Sequence, residues 1–233
     1  MDGLMSQMGF PLDRRSLLAG LVLLPLAGAA GAQGLGLGSG LTGVLGKASD
    51  SALDKLAVPG AFYADPAVRI MLPLLGGGGG LLGQVLSKGS KLGLTDGLTR
   101  KLNDAAGLAA KEAKPVFRAA IDRLTLSDVP GIATQNDGAS QYLRRSAGEE
   151  LTAKLRPLID SALGKTGAFT ALNKLSGKSG ISALSGLTRD KLGASVTDQA
   201  LNGIFRYIGA EEGKLRANPL KPAESLLKGI LGN

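Results

Sequence analysis

The chain of 233 residues contains no cysteine, no histidine and no tryptophan. Without cysteine it cannot form a disulfide or a thiolate metal site. Without histidine it lacks the side chain that most often serves as general base near neutral pH and as metal ligand. Catalytic arrangements of the Ser-His-Asp and Cys-His types and zinc sites of the nitrogen–sulfur type are therefore excluded. We predict no cofactor and no resident metal.

Phosphate-binding loops are also missing from the sequence. Two short segments resemble the end of the P-loop motif, but Ile159 and Leu172 stand where its first glycine is required. Adjacent acids at 149–150 and 211–212 diverge by about 100° on a helix, so neither pair forms a two-carboxylate site. These absences favour a non-catalytic protein. A hydrolase that uses carboxylates such as Asp137 and Glu149 is the remaining enzymatic alternative.

No apolar run is long enough to cross a membrane as a helix, which needs about 20 residues. The longest apolar run, residues 17–26, follows Arg14 and Arg15 and precedes small residues that end in Ala30 and Ala32. Positive, apolar and small segments in this order are typical of a cleavable export signal. We predict a signal peptide over residues 1–32, with residues 27–29 as an alternative cleavage site, and no transmembrane span in the mature form.

The paired arginines of this segment resemble the twin-arginine export signal, and an ordinary secretory signal is the alternative. Both alternatives predict a periplasmic protein. Residues 1–32 contain two acidic and two basic residues, so cleavage keeps the formal charge at +8. A basic protein in that compartment meets anionic phospholipid headgroups, lipopolysaccharide and the wall. Nucleic acid is not an expected partner, because no aromatic residues interleave with the basic ones.

Apolar residues recur at helical spacing along most of the chain, and no segment alternates as a strand does. We predict an all-α fold, a single-domain irregular multi-helix bundle over residues 48–233, with a core of Leu, Ala, Val and Ile. A flexible Gly/Leu-rich leader over residues 33–47 is expected to become helical near Leu41. Pro115 is expected to begin a new helix, and Pro157 to kink or split the helix predicted over 138–164.

One long Pro/Gly-rich loop interrupts the helical pattern. It contains Pro59, Pro66 and Pro73 and then five glycines at 76–80. Loops of this length are usually functional or disordered. Its first half is expected to pack on the helices through Phe62, Tyr63, Val68 and Ile70. The other predicted elements are a helix over 81–92, a short helix capped by Ser127, a turn at 135–138, a loop at 176–187 and a last helix that opens at Pro222.

Four stretches carry a resemblance to a known family: ADPAVRIMLP (64–73), LNDAAGLAAKEAKPVFRAAI (102–121), NDGASQYLRR (136–145) and ALNGIFRYIGAEEGKLRANP (200–219). In this order they resemble the uncharacterised bacterial family called domain of unknown function 4197, over residues 53–231. The sequence departs from the family pattern at 76–80 and at 181–187. The resemblance implies an exported, mostly helical protein and supplies no activity.

Polar residues within these stretches are the candidates for a shared ligand-binding surface: Arg69, Asn103, Asp137, Tyr142, Arg144 and Arg145. The functional interpretation is an anion site on a largely apolar pocket, where Arg69 and one of the two adjacent arginines hold a headgroup. The structural interpretation is that Asp137 caps a helix, Tyr142 packs with its hydroxyl bonded, and Arg144 or Arg145 pairs with a carboxylate.

Two non-catalytic functions compete on these observations. The first is the binding of an amphiphile or of an anionic envelope surface in the periplasm. The alternative is a structural or adaptor protein that docks on an envelope protein through the Pro/Gly-rich loop.

Overall fold

Stretches of apolar residues at helical spacing form the helices of the protein. The computed structural model describes residues 29–73, 95–125, 132, 135–178 and 186–217. Within these ranges every regular element is a helix, which confirms the all-α fold. The helices are α1 (Ala29–Leu56), α2 (Ala61–Ala64), α3 (Asp96–Asp122), α4 (Gly138–Lys165), α5 (Ala168–Lys178) and α6 (Arg189–Ala217).

The four long helices form a ring around one core. Helix α1 packs on α3, α3 on α4, α4 on α6, and α6 returns to α1. Each has 27 to 29 residues, which corresponds to about 40 Å at 1.5 Å per residue. The short helices lie outside the ring, α2 against α3 and α5 against α3 and α4.

Small residues allow the helices to approach closely. Six alanines of α3 are buried in the core: Ala105, Ala106, Ala109, Ala110, Ala113 and Ala120. Gly107 lies among them, and a Cβ there would be 3.3 Å from the carbonyl oxygen of Leu56 at the end of α1. Phe117 and Phe205 meet edge to face with ring centroids 6.0 Å apart. The other buried apolar residues are mostly Leu, Ala, Ile and Val, as the low aromatic content predicts.

The structure differs from the sequence-based prediction at two prolines: the predicted helix start at Pro115 is wrong, and of the two alternatives at Pro157, a kink or a split, the split does not occur. Pro115 lies inside α3 and Pro157 inside α4, and neither helix is split there. Both prolines are exposed, as are Lys111 and Ala153, whose carbonyl groups lose their helical partners. Water can solvate those carbonyls, while the buried stripes on both sides of each proline hold the helix together.

The predicted start of the first helix near Leu41, within the leader over residues 33–47, is also wrong, because α1 is helical from Ala29 onward. Extending a helix adds one hydrogen bond for each residue fixed, which is easier than starting a new one. Leu45, Ala48 and Leu53 of α1 are buried against the other helices of the ring. They therefore anchor a helix that extends toward its N-terminus through the glycine-rich segment. Similarly, α5 was not predicted, and it continues to Lys178 inside the predicted loop at 176–187.

Several predictions concern residues outside the described ranges. They are the export signal with Arg14 and Arg15, the glycines at 76–80, the helix at 81–92, the helix capped by Ser127 and the helix that opens at Pro222. Ala30 and Ala32, at the predicted cleavage site, belong to the first turn of α1. None of the helices in the described ranges combines the length and the apolar character that crossing a membrane requires.

Candidate functional site

Two side-chain amides fix the segment at 65–73, which follows α2 and has no regular structure of its own. Asn103 of α3 accepts the N–H of Ile70 (2.8 Å) and donates to its carbonyl oxygen (2.9 Å). Gln199 of α6 binds Met71 in the same reciprocal way, at 2.8 and 2.9 Å. Buried irregular backbone needs such partners, since it lacks those of a helix or sheet. The segment is thereby attached to both α3 and α6.

These attachments place Arg69 at the surface of α6. Its Nε donates to the carbonyl oxygen of Tyr63 (2.6 Å), and its guanidinium lies 4.7 Å from the centroid of the Tyr63 ring. Arg100 of α3 lies over the same ring at 4.2 Å. Gly203 of α6 makes the approach possible, because a Cβ there would be 3.1 Å from Cβ of Val68. The ring and the carbonyl hold the guanidinium of Arg69, and Arg69 also borders the space between the segment and α4.

A cavity of about 480 Å³ occupies this space, between the segment, the start of α4 and the middle of α6. Its volume lies within the usual range for small-ligand sites, about 300–1,000 Å³. The lining residues are Ala67, Val68, Arg69, Asp137, Ser140, Gln141, Arg144, Gln199, Asn202, Gly203, Phe205 and Arg206. Polar side chains are in the majority, so the lining is not the largely apolar one expected from the sequence.

Three arginines, Arg69, Arg144 and Arg206, and one acidic residue, Asp137, are among the residues that line the cavity. Arg144 donates to Oδ1 of Asn202 and lies 5.5 Å from the centroid of the Phe205 ring. Arg206 is exposed and makes no hydrogen bond or ion pair within the described residues. Asp137 accepts a hydrogen bond from Nε2 of Gln141 (2.9 Å) and pairs with none of the three arginines. The cavity therefore carries an excess of positive charge with unused donors.

A further carboxylate, Asp65, lies near this charge but outside the lining. The N–H of Ala67, 2.9 Å away, and the hydroxyl of Tyr207, 2.8 Å away, both donate to it and lower the pKa of its carboxyl group. The charge of Arg206 adds to this effect. Asp65 is thus held by the protein itself, which leaves the guanidinium of Arg206 without a direct partner among the described residues.

The start of α4 borders the cavity, but its backbone amides are not open to a ligand. The N–H groups of Ala139 and Ser140 donate to the carboxylate of Glu212, at 3.0 and 2.8 Å. The hydroxyl of Ser140 donates to the same carboxylate. Glu212 is fully buried and also pairs with Arg216 at 2.6 Å. Binding of an anion in the cavity must therefore come from the arginines and not from the helix terminus.

The structure brings three of the six predicted binding residues together in this cavity: Arg69, Asp137 and Arg144. The other three lie elsewhere. Asn103 is buried beneath the segment, and Tyr142 is half-buried with its hydroxyl 3.3 Å from the carbonyl oxygen of Thr125, to which it donates. Arg145 is exposed on α4 outside the cavity. Glu149, the second acid of the hydrolase alternative, is likewise exposed outside it.

The structural interpretations of the same residues have mixed outcomes. Asp137 is the residue before α4, but its side chain makes no capping hydrogen bond; Glu212 caps the helix instead. The hydroxyl of Tyr142 is bonded, as predicted. Arg144 binds an amide side chain and not a carboxylate.

Sequence reasoning missed the contribution of α6 to the cavity: Gln199, Asn202 and Arg206. These residues stand at positions i, i+3 and i+7, which place them on one face of a helix. The signal that could have found them is a polar stripe beside the apolar one. No local pattern indicates that this stripe faces the segment at 65–73.

The fold and the site together define an all-helical protein with an arginine-lined cavity. The family model described as "Protein of unknown function (DUF4197)" matches residues 34–232, so the chain belongs to that family, as its four stretches indicated. No curated protein and no solved structure matches the chain.

Proposed function

We propose that this protein is exported to the periplasm and there binds, without catalysis, an amphiphile with an anionic headgroup. The observation that carries the proposal is the convergence of Arg69, Arg144 and Arg206 on one cavity. Guanidinium groups suit phosphates and carboxylates, because their planar donors bind two oxygens at once. Neither the histidine-free sequence nor the single carboxylate of the described lining offers a pair of groups for acid–base chemistry.

An exposed apolar residue beside the cavity supports an amphiphile over a fully polar ligand. Met71 is 58% exposed, and its backbone is bonded to Gln199, which lines the cavity. Val68 adds an apolar residue to the lining itself. A headgroup held by the arginines would have its first methylene groups against these side chains, where burial contributes about 0.8 kcal/mol for each group.

Calorimetric titration with dihexanoyl phosphatidylglycerol, below its micellar concentration, tests the proposal. Arg144→Gln removes one cavity guanidinium, and we expect the dissociation constant to rise about tenfold, equivalent to 1.4 kcal/mol. Arg145→Gln is the matched control, since it removes the same charge from the adjacent position outside the cavity. We expect it to change the dissociation constant by less than about twofold.

Two results would overturn the proposal. One is the absence of any heat of binding for the lipid at low salt. The other is an equal loss of affinity in both variants, which would mean that net charge and not the cavity attracts the lipid. Glycerol phosphate, which has no acyl chains, serves as a comparison. If it bound as tightly as the lipid, the acyl chains would contribute nothing, and the ligand would be a small anion and not an amphiphile.

A further inference from the structure

The position of Asp137 within the arginine cavity restricts the kind of headgroup that fits. Among the described lining residues Asp137 is the one carboxylate, and it makes no ion pair with Arg69, Arg144 or Arg206. A carboxylate in the wall of a site for a simple anion would repel the ligand. A ligand that carries a positive group as well as a negative one would find a partner for each.

The neighbour of Asp137 adds a second acceptor. Gln141 donates its Nε2 to Asp137, which fixes the amide so that its oxygen is the free end. No hydrogen bond to that oxygen exists within the described residues. Asp137 and Gln141, joined by this bond, both line the cavity at the start of α4. A carboxylate and an amide oxygen on neighbouring side chains suit a primary ammonium group, which has three donors and no acceptor.

We propose that the headgroup is zwitterionic, with a phosphate held by the three arginines and a primary ammonium held by Asp137 and Gln141. This inference rests on the proposed function and names its ligand chemistry, that of a phosphoethanolamine group. A quaternary ammonium is disfavoured, because it has no N–H to donate and needs aromatic faces. The one aromatic ring of the described lining, Phe205, is already covered by Arg144.

The phosphoethanolamine group could be part of a lipid or a free small molecule, and the test separates the two sources. Calorimetry on the full-length chain compares four probes: dihexanoyl phosphatidylethanolamine, phosphatidylglycerol and phosphatidylcholine, and free phosphoethanolamine. We expect the ethanolamine lipid to bind about tenfold more tightly than the glycerol and choline lipids. Equal affinity for free phosphoethanolamine and the ethanolamine lipid would support a zwitterionic ligand but would show that it is a free small molecule and not a lipid.

The variant Asp137→Asn identifies the group responsible for the preference. It keeps the size of the side chain, and we expect it to erase the preference for ethanolamine and to tighten binding of the glycerol lipid. Glu149→Gln is the control, since it removes an exposed acid of the same helix outside the cavity, and it should leave the ratio unchanged. Thermal unfolding of each variant shows whether it is folded.

The outcomes separate this inference from the function on which it rests. Binding of the glycerol lipid at least as tight as that of the ethanolamine lipid, or an unchanged ratio in Asp137→Asn, would overturn the inference and leave the anionic site in place. Absence of binding by all three lipids would overturn the proposed function itself.

Discussion

Gly193 of α6 illustrates how a single residue sets the distance between two helices. Across from it on α4, Arg156 donates to Asp160 at 2.8 Å and to Asp190 at 2.7 Å. A Cβ at Gly193 would overlap Oδ1 of Asp160 and lie 3.0 Å from Nε of Arg156. The ion pair within α4 and the one that joins Arg156 to Asp190 of α6 therefore depend on the missing side chain.

We expect Gly193→Ala to destabilise the protein by about 1–3 kcal/mol, because the added methyl group must displace the pair of Arg156 and Asp160. Gly148→Ala in α4 is the matched control. A Cβ at Gly148 meets nothing within 4 Å, so alanine should stabilise its helix by up to about 1 kcal/mol. Urea unfolding measures both changes. The same sign for both variants would contradict the role assigned to Gly193.

At the scale of the helix, Glu212 joins the end of α6 to the start of α4. It supplies the capping acceptor that a helix usually obtains from the residue before it. Asp137 occupies that local position and does not cap. Asp137 instead binds Nε2 of Gln141 and is among the residues that line the cavity. Because Glu212 caps α4, Asp137 is not needed as the cap and can contact a ligand in the cavity.

We expect Glu212→Ala to cost about 3–5 kcal/mol, because it leaves the amides of Ala139 and Ser140 without an acceptor and removes the carboxylate from the buried Arg216 pair. Glu149→Ala, which removes an exposed acid of α4, should change stability by less than about 0.5 kcal/mol. Chemical denaturation monitored by circular dichroism measures both. A loss below about 1 kcal/mol for Glu212→Ala would show that the cap contributes little.

The helices themselves were largely predictable from the sequence, because their buried stripes repeat at helical spacing. The predictions failed where a local cost competed with burial. Proline costs about 3 kcal/mol inside a helix, but flanking stripes such as Phe117, Ala120 and Ile121 stay buried only if α3 continues past Pro115. Glu150 and Lys154, one helical turn apart in α4, pair at 2.8 Å, which is a local contact that their spacing alone favours.

At the scale of the whole molecule, Glu211 closes the ring between α6 and α1. Ser51 donates to its carboxylate at 2.8 Å, Lys55 of α1 pairs with it at 2.6 Å, and Lys214 at 2.8 Å. Burial alone would raise the pKa of Glu211. The hydrogen bonds from Lys214, Lys55 and Ser51 outweigh burial and lower the pKa to about 2. The ionised form of Glu211 therefore stabilises the folded ring.

This lowered pKa predicts a pH dependence of stability. The contribution of Glu211 is present above its ordinary pKa of 4.5 and is lost as the pH falls toward about 2. We expect Glu211→Gln to be less stable by about 2 kcal/mol at pH 7, after allowance for the solvent around Lys55 and Lys214. Urea unfolding between pH 7 and pH 2 should show the difference shrinking. A constant difference would mean that the charge of Glu211 does not stabilise the ring.

The cavity could be predicted only in part, and the reason is its dependence on distant segments. Arg69, Asp137 and Arg144 stood out because each is a polar residue within a stretch that carries the family resemblance. Arg206 and Gln199 stand within an ordinary amphipathic helix, and only the packing of the segment at 65–73 on α6 gives them a cavity to line. Asn103 was predicted to bind a ligand for the same reason as Arg69. Its side chain instead accepts the backbone N–H of Ile70, which is 33 residues away in the sequence.

The contact that closes the ring also affects when the protein can fold during its synthesis. Ser51 and Glu211 are 160 residues apart, and α1 has α6 as a direct neighbour. A ribosome releases the chain from its first residue, so α1 emerges long before the helix that covers it. Until α6 has been synthesised, part of the apolar stripe of α1 stays exposed and can aggregate. Closure of the ring therefore has to wait for α6, and truncation within α6 should remove one of the two long helices that cover α1.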